Sequence, residues 1–146
     1  MREDRAVSTT LSYVLTLSIS AILVSGLLLA GGSYVDDRRE AVVEDELTVI
    51  GQQLAAGLER ADRLVRAGNA STMTLEIDQN LPSQVTGSGY RVSLDASNEE
   101  IDLESTSSDA SVTVGFTSQT PVAPSSAQGG RVQIVYVSGN LEVTNV

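Results

Sequence analysis

Three hydropathy regimes succeed one another along the chain. From Ala6 to Val35 no residue is charged. From Asp36 to Ala67, apolar or small residues recur at Val43, Leu47, Ile50, Leu54, Gly57, Ala61 and Leu64. The steps alternate between four and three, and Leu58 and Val65 widen the stripe. From Ser71 onward the period falls to two. Met73, Leu75 and Ile77 alternate with polar residues, as do Tyr90, Val92 and Leu94. Ile101 and Leu103 follow, then Val112, Val114 and Phe116, then "RVQIVYV" and "LEVTNV". The first regime predicts a helix apolar on every side, and the second a helix with one buried face. The third predicts six strands.

No proline lies between Met1 and Asn80, so one helix from about Val7 to Ala67 is predicted, roughly 90 Å long at the standard rise. Gly26, Gly31 and Gly32 are places where it bends or softens. The acids Asp36, Asp37, Glu40, Glu44, Asp45 and Glu46 lie early in its second half, and Arg60, Arg63 and Arg66 lie late. That order suits the helix dipole. Gly68-Asn69 supplies the stop. The strands are separated by "LPSQVTGSG", "ASN", "STSSDA", "PVAPSSAQGG" and "SGN", short links that predict an antiparallel meander. Its apolar face needs a cover, and the Val43–Leu64 stripe is the amphipathic helix available. The expected fold is α+β: a long N-terminal helix packed at its C-terminal half on a small antiparallel sheet. The expected segments are 7–35, 36–68 and 69–146, after a short charged leader at 1–6.

The uncharged stretch sets the location. As a helix it would span about 45 Å, where a bilayer core needs about 20 residues. No single partner could bury leucines, isoleucines and valines pointing in every direction, so a single pass through the membrane is expected. Tyr13 and Tyr34 sit near the two ends, where interfacial aromatics belong. Arg2 and Arg5 precede the span and Arg38 and Arg39 follow it, so the positive-inside count does not choose an orientation. Gly26 and Ala30 are four residues apart, as are Ala21 and Ser25. Small residues at that spacing let helices approach closely in lipid.

Composition narrows the chemistry. The chain has 146 residues with no cysteine, histidine or tryptophan, and its nine cations are all arginine. Disulfides, thiolate or histidine metal sites and Ser-His-Asp or Cys-His catalysis are excluded. No catalytic residue, cofactor or metal site is expected. The net charge of −10 argues against nucleic acid as a partner. Acid excess without lysine suits high salt, which screens self-repulsion. Glu99, Glu100, Asp102, Glu104 and Asp109 cluster near the third strand but lack the spacing and glycine of a calcium loop. They read as a solvated face. Gly87-Ser88-Gly89 has no helix after it and reads as a turn rather than a phosphate loop. Asn69-Ala70-Ser71 is an N-glycosylation sequon where helix gives way to sheet.

The border of the apolar segment, "DRAVSTTLSYVL", resembles the class III signal of archaeal type IV pilin-like proteins. The closest likeness is to the haloarchaeal form, with Arg, a small residue, Val and Ser in series. It differs at Thr9, where many haloarchaeal pilins carry proline, and at Leu11, where bacterial pilins carry glutamate. The resemblance implies cleavage by a prepilin peptidase between Ala6 and Val7, with the charges from Arg2 to Arg5 holding the leader in cytosolic water. It also implies a pilin-like headgroup outside the cell. The partners would be membrane lipid, other pilin-like subunits and the pilus assembly machinery. The role would be structural, in a surface filament or as a minor component of its assembly. The alternative is a single-pass protein with an extracellular domain that binds or senses something.

Overall fold

A computed structural model describes residues 2–68 and 74–146, with side chains from residue 10 onward. It places one helix, α1 (Arg2–Ala67), before seven strands. The chain divides into two compact units, Met1–Arg39 and Glu40–Val146. The described residues of the first unit are helix alone. The second contains the rest of α1 and all the strands.

The strands are β1 (Leu75–Asn80), β2 (Tyr90–Asp95), β3 (Glu100–Ser105), β4 (Ser111–Gly115), β5 (Ser125–Gln128), β6 (Arg131–Val137) and β7 (Asn140–Asn145). They form two antiparallel sheets, ordered β1-β6-β7 and β4-β3-β2-β5. The α+β arrangement agrees with the sequence pattern, but the single meander does not. Neighbours in sequence do pair from β2 to β4 and from β6 to β7, whereas β1 reaches across to β6 and β5 returns to β2. β5 falls within the stretch read as a turn, "PVAPSSAQGG". Its only buried residue is Ala127, so it carries no period-two signal of its own. Long-range bonds hold it. Gln128 is paired with Arg91, and the Asn145 side chain both accepts from Gln128 N–H and donates to Gln128 C=O, each at 2.9 Å. The Ser125 hydroxyl accepts from Val143 N–H at 3.0 Å. Side chains thus complete the ladder where the edges of the two sheets meet. Met73, expected to open the first strand, lies outside the described residues.

The core is built around one face of α1. Val43, Leu47, Ile50, Leu54, Ala55, Leu58, Ala61 and Val65 are buried against residues from both sheets, including Val92, Ile101, Leu103, Val132, Ile134 and Leu141. Leu64 was expected to end the stripe, yet it is 40% exposed and Val65 is 4% exposed. A strict four-three alternation repeats every 3.5 residues and the helix every 3.6, so the seam drifts until the next residue takes the buried place. Two glycines let the helix come close. A Cβ on Gly51 would lie 2.7 Å from Val114 Cγ2 and 2.9 Å from Leu103 Cδ1. A Cβ on Gly57 would collide with Gln79 and sit 2.9 Å from Ile134 Cδ1. The helix therefore touches β3 and β4 at one point and β1 and β6 at the other. The β6–β7 hairpin turns on Ser138 and Gly139, with φ of 52° and 92°, the left-handed pair that a two-residue hairpin needs.

Candidate functional site

The feature that most constrains function is the apolar part of α1. It is the one helix among the described residues that is long and apolar enough to cross a membrane, and no part of its apolar window is buried. Leu27, Leu28 and Leu29 expose 73%, 72% and 76% of their surface. Water would penalise such a display at about 25 cal/mol per Å² of apolar area, whereas lipid would not. Five hydroxyls on this segment are satisfied within the helix. Thr16, Ser18, Ser20 and Ser25 each donate to the carbonyl four residues earlier at 2.8 Å, and Ser33 donates to Leu29 at 3.3 Å. Back-bonding of this kind lets a polar side chain enter a medium that offers no partners. At the far end Arg38 Nε donates to the Tyr34 hydroxyl at 3.0 Å, with the guanidinium 5.3 Å from the ring centroid. An amphipathic ring and a cation together suit a membrane boundary.

The residues singled out in the sequence fall as follows. Arg5, Ala6 and Val7 lie within α1, and their side chains are outside the described set. Gly26 and Ala30 are exposed, and nothing lies within 4 Å of a Cβ built on Gly26. Asn69 is outside the described residues. In the acidic cluster, Asp102 accepts from the Thr113 hydroxyl at 2.7 Å and Glu104 stands opposite Arg91 across the β2–β3 ladder. Among the described residues no three acids are grouped so as to hold a metal ion. Thr86 and Gly87 make the turn closed by the Val85–Ser88 bridge, with φ of 48° and 82°.

Two features of Glu40–Val146 were not anticipated. Asp62 is 5% exposed. Its Oδ1 accepts from Thr120 N–H at 2.8 Å, the Thr120 hydroxyl at 2.7 Å and Gln119 N–H at 3.2 Å, while Oδ2 lies 3.6 Å from Arg66 Nη1. Burial alone would raise its pKa. The Thr120 and Gln119 donors and the Arg66 charge outweigh burial and hold the carboxyl below its ordinary 3.8. The available signal was an acid flanked by Ala61 and Val65 on the buried stripe, which needs partners to be tolerated there. The second feature is an open groove of about 590 Å³ lined by Asp45, Glu46, Val49, Ile50, Gln53, Asn80 and Pro82. It joins residues far apart in sequence, so no local pattern announces it.

A family model described as a family of unknown function (DUF7266) matches residues 2–145. No curated protein and no solved structure matches the chain.

Proposed function

The chain belongs to the DUF7266 family, and we propose that it is a structural, pilin-like subunit of a surface filament in a salt-adapted archaeon. In this reading it is inserted in the membrane as a precursor and trimmed between Ala6 and Val7 by a prepilin peptidase. The apolar segment then becomes the shared core of an assembly, and the acidic β unit faces the outside. The role is mechanical rather than catalytic.

The observation that carries the proposal is the division of labour within one helix. Thr10 to Val35 is exposed throughout, whereas Val43 to Val65 supplies one wall of a complete β core. A cleavable secretion signal would not extend into the fold it delivers. A membrane anchor explains the apolar part equally well, so the discriminating feature is the processing border quoted above. The test is the mass and N-terminal sequence of the mature protein, taken from membranes and from sheared surface material. An N-terminus at Val7, with the chain present in filaments, supports the proposal. An N-terminus at Met1 with no filament association supports the single-pass binding or sensory protein, and one near Gly31 a secreted domain.

A further inference from the structure

Where the two sheets meet, Leu141 N–H donates to Pro121 C=O at 2.8 Å and the Asn145 side chain clasps Gln128, so β5 and β7 shield each other. The open edges are β1 and β4. Along an antiparallel ladder, residues alternate between bonding the neighbour and pointing away from it. Leu81 N–H donates to Gly130 C=O at 3.1 Å, so the backbone groups of Glu76, Asp78 and Asn80 point away from β6. Acids on such an edge discourage pairing. Next to β4, Phe116 N–H donates to Glu99 C=O and Ser105 N–H to Ala110 C=O, each at 3.0 Å. The alternation therefore turns the backbone of Val112 and Val114 toward β3 and that of Ser111, Thr113 and Gly115 outward. These three residues are exposed, and among the described residues nothing bonds their outward groups. In a chain of net charge −10, β4 has neither a charge nor a proline to guard it.

The sequence of β4, Ser-Val-Thr-Val-Gly, is close to a palindrome about Thr113. Laid antiparallel on itself about that residue, Thr113 meets Thr113 and Ser111 meets Gly115 as the hydrogen-bonded pairs. Those are the residues whose N–H and C=O are free. Val112 then stands opposite Val114 as the non-bonded pair, and threonine opposite threonine is a favourable cross-strand match. A slip of one residue would aim free groups at groups already bonded to β3. We infer that β4 pairs edge to edge with β4 of a second copy of this chain, antiparallel and centred on Thr113. The surface is the same on both copies, so the contact closes as a dimer. Its two-fold axis reverses the α1 segment packed on the sheet, so the copies face each other rather than stand side by side in one orientation. The β3 strands of the two copies lie about three strand spacings apart, ~14 Å. Glu100, Asp102 and Glu104 are therefore screened from their counterparts at ~1 M salt, where the Debye length is ~3 Å. The contact lies wholly within Glu40–Val146 and stands whether or not the chain enters a filament.

The chain has no cysteine, which makes cross-linking specific. Full-length variants are oxidised in detergent micelles at ~1 M salt. Thr113→Cys should give a disulfide dimer, since the Cα atoms of a hydrogen-bonded pair lie ~5.5 Å apart, within disulfide reach. Ser111→Cys and Gly115→Cys should each give none alone, because like positions stand about four residues apart, ~13 Å. Copies of these two carrying tags of different size should cross-link to each other when mixed. Nothing lies within 4 Å of a Cβ built on Gly115, so a side chain fits there. Adding Thr113→Pro to both partners should abolish the mixed product. Proline removes an outward N–H and leaves the bonds to β3 in place, so circular dichroism should be retained. If proline unfolds β4 instead, the cysteine pattern alone decides. Association through the apolar segments would cross-link without regard to position. That outcome, no dimer from Thr113→Cys, or a mixed product that survives Thr113→Pro would each overturn the inference.

Discussion

Asp62 Oδ1 accepts hydrogen bonds from both the N–H and the hydroxyl of Thr120, at 2.8 and 2.7 Å. The pair ties the last turns of α1 to the β4–β5 connection, fifty-eight residues further along the chain. Asp62→Ala removes the acceptor and leaves buried donors behind. It should cost about 2–4 kcal/mol, because unmade buried hydrogen bonds are expensive. Arg66→Ala should cost less than about 1 kcal/mol, since Arg66 is half exposed and such pairs are heavily screened. Denaturation of the full chain in detergent micelles measures both, and equal costs would contradict this assignment.

The same carboxylate sets a pH response. Its folded pKa lies below 3.8, so its contribution is complete above the unfolded value and is lost as pH falls through the folded one. The stability gap between the native chain and Asp62→Asn should stay constant from about pH 7 to about pH 5 and narrow below about pH 4. A gap that widens in acid would reverse the sign and refute the paired carboxylate.

The two classes of glycine should respond oppositely. Gly51→Ala places a Cβ against Val114 and Leu103, and over-packing of this kind costs about 1–3 kcal/mol. Gly26→Leu meets nothing in the isolated chain, so folding and insertion should be unchanged. If Gly26 is a helix-packing position in an assembly, leucine there should stop incorporation into filaments. Circular dichroism follows the first variant and recovery of sheared filaments the second. Normal incorporation of Gly26→Leu removes that packing role.

Leu54 is fully buried at the centre of the stripe. Leu54→Asp should unfold or aggregate the β unit, because an unpaired buried charge costs several kcal/mol against a total of about 5–15. The apolar segment should still partition into membranes, as a separate fractionation would show.

Salt should matter more than for an ordinary domain. With a net charge of −10, the denaturation midpoint should fall between ~3 M and ~0.1 M salt as self-repulsion is unscreened. A flat midpoint would dispose of the salt-adapted reading. Processing is tested separately. Ala6→Asp should block trimming while insertion continues, so an unchanged mature mass would count against a prepilin signal.

The sequence by itself determined the long helix, the division of that helix into an apolar and an amphipathic part, and six of the seven strands. Each of these depends on a periodicity carried by consecutive residues: charge-free from Ala6 to Val35, near 3.5 from Val43 to Leu54, and two within each strand. Local patterning also specified hairpin turns such as Ser138-Gly139, where backbone conformation belongs to the residues themselves. Only the tertiary structure decided the pairing of β1 with β6, the existence of β5, the end of the buried stripe at Val65, and the sites at Asp62 and beside Asp45. β5 is a strand because β2, from Arg91 to Leu94, and the Asn145 side chain offer its backbone partners, while Val143 N–H holds the Ser125 hydroxyl. Asp62 tolerates burial because Thr120 arrives from another part of the chain. Those outcomes depend on contacts between distant residues, and hydropathy along the chain records how much of each residue is buried but not which partner buries it.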